Sequence, residues 1–243
     1  LTGGIDLAAE WAGFTTVGQC EFADYPRKVL EKHWPNVPRW RDVKDVTAES
    51  IKKRGISNIS LLSGGYPCQG ESVAGKRKGK DDYRWLWPQM YRIIREIRPK
   101  WVLGENVVGH VTSGLDEVLS DLEREDYSAR AFVLPACVFG ANHERYRVFI
   151  VANSGSQPTI QADQTLSAFR TEWNPRNNDL RCPGEYLSRT YWEVHQPPIC
   201  GVDDGAADWM ERNKPRLYAI GNMVVPQQVY PILKAIAEIE KAG

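Results

Sequence analysis

What this 243-residue sequence lacks narrows its class first. Its five cysteines (Cys20, Cys68, Cys137, Cys182 and Cys200) include no pair at two-residue spacing and stand near no histidine pair, so neither a zinc site nor a disulfide scaffold is expected. Net charge is absent too, with 31 lysines and arginines against 31 aspartates and glutamates. Bulk electrostatics therefore gives no reason to expect nucleic acid, and only local clusters could supply one. No apolar run has the length of a bilayer-spanning helix, and no basic and apolar leader opens the chain, so a cytoplasmic protein without membrane or metal partners is expected. There is no internal repeat or low-complexity tract. No Gly-x-Gly-x-x-Gly follows an apolar run, which ranks a nicotinamide dehydrogenase low. What is present is an ordinary globular balance, 42% hydrophobic and 26% charged, enough for one core and a small appended domain.

The stretch from Ile59 to Ser72 organises the rest. An apolar run over residues 59–62 predicts a short buried strand, and Gly64-Gly65 after it can turn sharply or approach a ligand closely. Pro67 then fixes the approach to Cys68, just past the carboxyl end of the strand, where open α/β sheets gather ligands and chemistry. By itself a free cysteine is as readily a small buried hydrophobe. Residues 70–84 place Gly70, Gly75 and Gly79 among polar and basic residues, including Lys76, Arg77, Lys78 and Lys80. Such a loop suits a lid or a phosphate contact, and equally a solvated turn.

Around it the chain alternates. Residues 5–13 predict a helix with Ile5, Ala8, Ala9 and Ala12 on one face, and opening after Gly3-Gly4 it can direct free N–H groups at a polar ligand. Residues 14–22 predict a strand, 23–33 a helix burying Val29 and Leu30, 49–54 a short helix, and 86–97 an amphipathic helix ended by Pro99. Residues 100–104 are the next buried strand, delivering Glu105 to the same sheet edge as Cys68. A helix over 115–122, an antiparallel pair over 129–134 and 147–152, and a final helix over 227–241 complete an α/β sheet with an antiparallel edge. Between 154 and 205 apolar periodicity fades, and Trp173, Arg176, Asn177, Asn178, Arg181, Arg189, Tyr191, Trp192 and His195 suit base edges and phosphates or an irregular small domain.

Four blocks, Pro67-Cys68-Gln69, Glu105-Asn106-Val107, Arg145-Tyr146-Arg147-Val148 and Gly221-Asn222-Met223-Val224-Val225-Pro226, occur in an order and spacing that resembles the DNA (cytosine-5) methyltransferases of bacterial or phage type. The resemblance implies a Rossmann-like S-adenosylmethionine-dependent methyltransferase sheet over 1–153, a small irregular target-recognition region over 154–205, and a segment, 206–243, that returns to the first domain. It also implies a first strand ahead of Gly3-Gly4 that this sequence does not contain.

By that resemblance the function is methyl transfer from S-adenosylmethionine to carbon 5 of cytosine in double-stranded DNA, in a restriction-modification setting, by a monomer in a bacterial or phage-infected cell. Cys68 would be the nucleophile, Glu105 the acid at the base, and Arg145 and Arg147 the donors to base carbonyl and phosphate. Gly3, Gly4, Glu21, Phe22, Asp42, Val43, Pro67, Leu86, Asn222 and Val224 would line the cofactor, with Glu21 on the ribose and Phe22 on the adenine face. Gln69, Ser72, Lys76, Arg77 and Lys78 would contact DNA. Taken without the resemblance, Asp42 reads as a helix or turn cap and Glu105 as a salt-bridge partner. Two other readings stay open, a tRNA cytosine methyltransferase and a silent nucleic-acid-binding homologue.

Overall fold

The structure, a computed structural model, describes residues 2–67, 85–139, 141, 145–155, 219 and 221–242. Cys68, Gln69, Ser72, Lys76, Arg77 and Lys78 lie outside the described residues, as does the expected target-recognition region beyond Gly155.

In chain order the elements are α1 (Gly4–Trp11), β1 (Gln19–Cys20), α2 (Asp24–His33), β2 (Arg39–Trp40), α3 (Ala48–Lys53), β3 (Leu61–Gly65), α4 (Trp87–Ile97), β4 (Trp101–Val107), α5 (Leu115–Arg124), β5 (Ser128–Leu134), β6 (Arg147–Asn153) and α6 (Pro226–Ala242). β1 and β2 pair in parallel. The other strands form a sheet in the order β3-β4-β6-β5, parallel between β3 and β4 and antiparallel on either side of β6. This is the mixed α/β sheet that the sequence predicts. No helix among the described residues is long and apolar enough to cross a membrane.

The period of two along the central strands builds two cores. Trp101 and Leu103 of β4, with Phe149 and Val151 of β6, pack against Ile5, Ala8 and Ala9 of α1 and Val229, Leu233 and Ile236 of α6. Val102, Val148, Ile150 and Ala152 turn the other way, onto Met90 and Ile94 of α4 and Val118 and Leu122 of α5. That second layer is pinned by Trp87, whose Nε1 donates to Asp121 at 2.8 Å, while Arg124 donates to the same carboxylate at 2.6 Å. A third cluster joins Trp40, Val46 and Ile51 to Ile93 and so fastens the β1–β2 pair beside α4.

Two expected strands differ in extent. Residues 14–22 yield only Gln19–Cys20, because the partner strand begins just after Pro38, which has no N–H to extend the ladder. The strand expected over 59–62 begins at Leu61 and runs through Gly64 and Gly65, which pair with Gly104 and Glu105 and do not turn. Gly64 serves packing: a Cβ there would stand 3.2 Å from the Met90 sulfur beneath the sheet.

The start of α1 and the lead-in to α6 meet as closely as backbones can. Gly3 has φ 85°, and a Cβ on Gly4 would lie 2.2 Å from the Val224 carbonyl oxygen. Gly4→Ala must push α1 and the 224 backbone apart. It is expected to destabilise the protein by about 1–3 kcal/mol, the range for overpacking a tight site, as a lower urea midpoint at unchanged slope.

Candidate active site

Glu105 and Arg147 share one face of the sheet because each keeps the parity of the strand residues that pack on α1 and α6. In the antiparallel register Glu105 faces Phe149 and Arg147 faces Val107, so the two charged residues are diagonal neighbours, within reach for long side chains. Arg147 Nε lies 3.0 Å from Glu105 Oε1, and both side chains are largely shielded from water. Glu105 is 7% exposed. Burial pushes its carboxyl above the ordinary glutamate range, and the charges of Arg147 and then Arg145 pull the other way without cancelling the shift. The result is a carboxyl that binds a proton more readily than a surface glutamate.

Glu105 also sits opposite Gly65 in the parallel β3–β4 ladder, three residues before Cys68 in the chain. The exit from β3 is held from its neighbour. Asn106 Nδ2 donates to the Tyr66 carbonyl at 3.1 Å, and Tyr66 Oη shares a hydrogen bond of 2.9 Å with Nε2 of the fully buried His110. Trp85 and Trp87 close on the Tyr66 ring, with centroids 5.9 and 5.2 Å away. Burial lowers His110 to a pKa of about 4, so the imidazole is neutral at physiological pH. Pro67 is exposed, and its carbonyl accepts from Leu86 N at 3.4 Å, which places both at this same exit.

Arg145 acts on Glu105 through its charge and makes its hydrogen bonds elsewhere. Its terminal nitrogen donates to the carbonyls of Gly221 at 2.7 Å and Met223 at 2.6 Å, and its own carbonyl accepts from Gln228 Nε2 at 3.0 Å. Sequence reasoning did not single out Gln228, Tyr66 or His110. For Gln228 a signal existed: a polar residue on the helical stripe continued by Ile232 and Ile236.

The residues expected to line a cofactor fall on α1, on the ends of β1 and β2, and on the segment before α6. Glu21 and Phe22 follow β1, and Asp42 follows β2, at the carboxyl ends of two adjacent parallel strands. Glu21 Oε1 accepts from Ala23 N at 2.9 Å, which fixes the carboxylate. The Phe22 ring is 68% exposed, with the Arg41 guanidinium 5.7 Å from its centroid. Asp42 caps the turn that starts with Val43, accepting from Lys44 N at 2.9 Å. Among the described residues, Thr2 Oγ1, beside Gly3, is buried without a hydrogen-bond partner. A fixed carboxylate, an open aromatic face and an unfilled polar atom next to a glycine-opened helix fit a nucleoside-bearing ligand. Asn222 is exposed, and Val224 is buried with its side chain in the core shared by α1 and α6.

Residues 2–195 match the family model for the C-5 cytosine-specific DNA methylase. The chain is 34% identical over 154 residues to the Type II methyltransferase M.HhaI of Haemophilus parahaemolyticus, across 61% of this chain and 45% of that protein. It is 33% identical over 168 residues to the Type II methyltransferase M.AquIA of Picosynechococcus, across 62% of this chain and 68% of that protein. Among solved structures it is similar to a DNA modification methyltransferase encoded within an E. coli prophage, with a TM-score of 0.58, 26% identity, and coverage of 68% of this chain and 47% of that one. The chain spans about half the length of most curated relatives it matches.

Two outcomes follow from the electrostatics of the site. Arg147→Met leaves the buried Glu105 without its cation, a change that costs about 3–5 kcal/mol when the charge stays buried. A raised carboxyl means that the folded state holds a proton the unfolded state has released, so stability falls as pH rises from the ordinary glutamate range through the folded value. Denaturation curves should therefore show the Arg147→Met deficit growing from pH 5 to pH 8 at roughly these magnitudes. His110 has the opposite dependence: its folded pKa of about 4 lies below the ordinary 6.5, so stability is lost as pH falls between those values. His110→Phe should flatten that acid slope, whatever its effect on stability at neutral pH.

Proposed function

This chain belongs to the C-5 cytosine-specific DNA methylase family, and on that premise we propose that it transfers a methyl group from S-adenosylmethionine to carbon 5 of cytosine in duplex DNA, as the modification enzyme of a restriction system. The observation that carries the reading is the buried Glu105, held by Arg147 and lying in register beside the strand that leads to Cys68. Its chemistry needs both groups.

Carbon 5 of cytosine is a weak nucleophile. The Cys68 thiolate adds to carbon 6, forming a carbon–sulfur bond and pushing electron density through the ring toward carbon 5 and N3. Glu105, which burial disposes to carry a proton, donates a hydrogen bond at N3 and steadies the charge that builds there. Arg147 keeps the carboxyl aimed and would donate to the base carbonyl. The bound cofactor supplies an electrophilic methyl on a sulfonium. Carbon 5 would take that methyl as the sulfonium–methyl bond breaks and a neutral thioether leaves; loss of the carbon 5 proton to a solvent base would then expel Cys68 as thiolate and restore the aromatic ring.

The base must leave the stack to reach these groups, at a cost of a few kcal/mol. Gly3, Gly4, Glu21, Phe22, Asp42, Val43, Asn222 and Val224 would hold the cofactor, supported by the fixed Glu21 carboxylate and the open Phe22 ring. Gln69, Ser72, Lys76, Arg77 and Lys78 follow Cys68 in the chain and would contact DNA, with residues 154–205 reading the target.

Incubation with tritiated S-adenosylmethionine and duplex DNA tests the proposal. Label should enter cytosine in the parent and fall at least about a thousandfold in Cys68→Ser, the scale on which losing a covalent nucleophile is felt. Label that persists in Cys68→Ser, or that enters tRNA and spares duplex DNA, would overturn it. DNA carrying 5-fluorocytosine should trap a denaturant-stable adduct with the parent only.

A further inference from the structure

Gln228 is fully buried on the stripe of α6 that Ile232 and Ile236 continue, a place where an apolar side chain would satisfy the packing alone. Its Nε2 donates to carbonyls at the two ends of the β5–β6 connection, Leu134 at 2.6 Å and Arg145 at 3.0 Å. Arg145 has φ 36°, in the left-handed region. A side chain of that size keeps such a conformation only where its surroundings over-determine it. Here they do so from both directions, since the Arg145 guanidinium reaches back to the carbonyls of Gly221 and Met223. Two residues further on, Arg147 holds Glu105, and one residue beyond Met223 the Val224 carbonyl lies against Gly4.

We propose that Gln228 is a positioning residue: its amide fixes the strained backbone of Arg145, so that Arg147 is delivered onto Glu105, while the backbone of residues 223 and 224 ties that pair to the glycines opening α1. This deepens the methyl-transfer reading and rests on it for the role of Glu105. The tie gives the cofactor end and the base end of the site one shared strap, because a shift of the 223–224 backbone moves Arg145 and Gly4 together.

Gln228→Met keeps the length and volume of the side chain and removes both donors. The readout is the titration of the Glu105 carboxyl, followed by carbon NMR on glutamate-labelled protein and assigned with Glu105→Gln, alongside kcat and KM. Among the described residues the charges acting on Glu105 are Arg147 and Arg145, and both favour its ionised form. Unseating Arg147 should therefore move the Glu105 midpoint upward by roughly one unit, a tenfold change in its ionisation constant. A drop in kcat of about tenfold should accompany it, with KM for DNA and cofactor held, as for an interaction made in the transition state. A folded Gln228→Met that titrates Glu105 like the parent overturns the proposal. If that variant does not fold, Arg145→Lys, which keeps the charge but not the planar guanidinium whose one terminal nitrogen meets both carbonyls, must show the same upward movement, and an unmoved midpoint overturns it equally. A parent that transfers no methyl group while the midpoint still moves on substitution refutes the functional reading and leaves the positioning role standing. Methyl transfer with an unmoved midpoint does the reverse.

Discussion

Moving a carboxylate out of water costs several kcal/mol, and only a well-placed cation with supporting hydrogen bonds offsets it. At Glu105 that cation is Arg147, 3.0 Å away across the diagonal of the β4–β6 ladder. The pair requires the register to be as it is. A slip of one residue in either strand would turn Glu105 or Arg147 into the α4–α5 core, where Val102, Val148 and Ile150 now sit. Both faces of β4 and β6 are buried, each against its own helical layer, and the register that this packing holds seats the ion pair. The carboxyl that results is buried enough to favour a proton and paired enough to be aimed.

The antiparallel edge has a consequence for how that pair is supported. Because β6 runs against β4, the start of β6 lies at the end of β4, and the turn that feeds β6 stands at the site itself. That turn contains Arg145 in a left-handed conformation, gripped by Gln228 from α6 and gripping the 221–223 backbone in return. The final helix thus contributes more than Val229, Leu233 and Ile236 to a core. Its lead-in passes against Gly4 at the mouth of α1, where no larger residue fits. On the opposite layer, Asn106 and the Tyr66–His110 hydrogen bond hold the exit of β3, so both strands that lead toward the chemistry are tied to a neighbour.

Much of this was legible in the chain. The stripe Met90, Ile93, Ile94 announced α4, the run ending in Glu105 announced β4, and the apolar run over 147–152 announced β6, since each is a strong local pattern. The four ordered blocks pointed to the family from the sequence alone. Less legible were the strands whose limits depend on a partner: β1 shrank to Gln19–Cys20 against a strand that starts after Pro38, and Gly64-Gly65, which read as a turn or a close approach to a ligand, stayed in the ladder, where Met90 fills the space beside Gly64. Asp42 read as either a turn cap or a cofactor contact, and the cap is what its hydrogen bond to Lys44 N makes.

The sequence by itself determined the elements and the chemical types at their ends, because helical and strand periods, caps and reactive side chains are properties of a few neighbouring residues. Only the tertiary structure decided that Glu105 meets Arg147, that Arg145 turns to the backbone of 221 and 223, and that Gln228 reaches the Arg145 carbonyl. Those contacts join residues 42, 76 or 78, and 83 positions apart, and depend on strand register and on which helix covers which face. Such relations are set by the burial of the whole apolar surface at once, and no local pattern carries them.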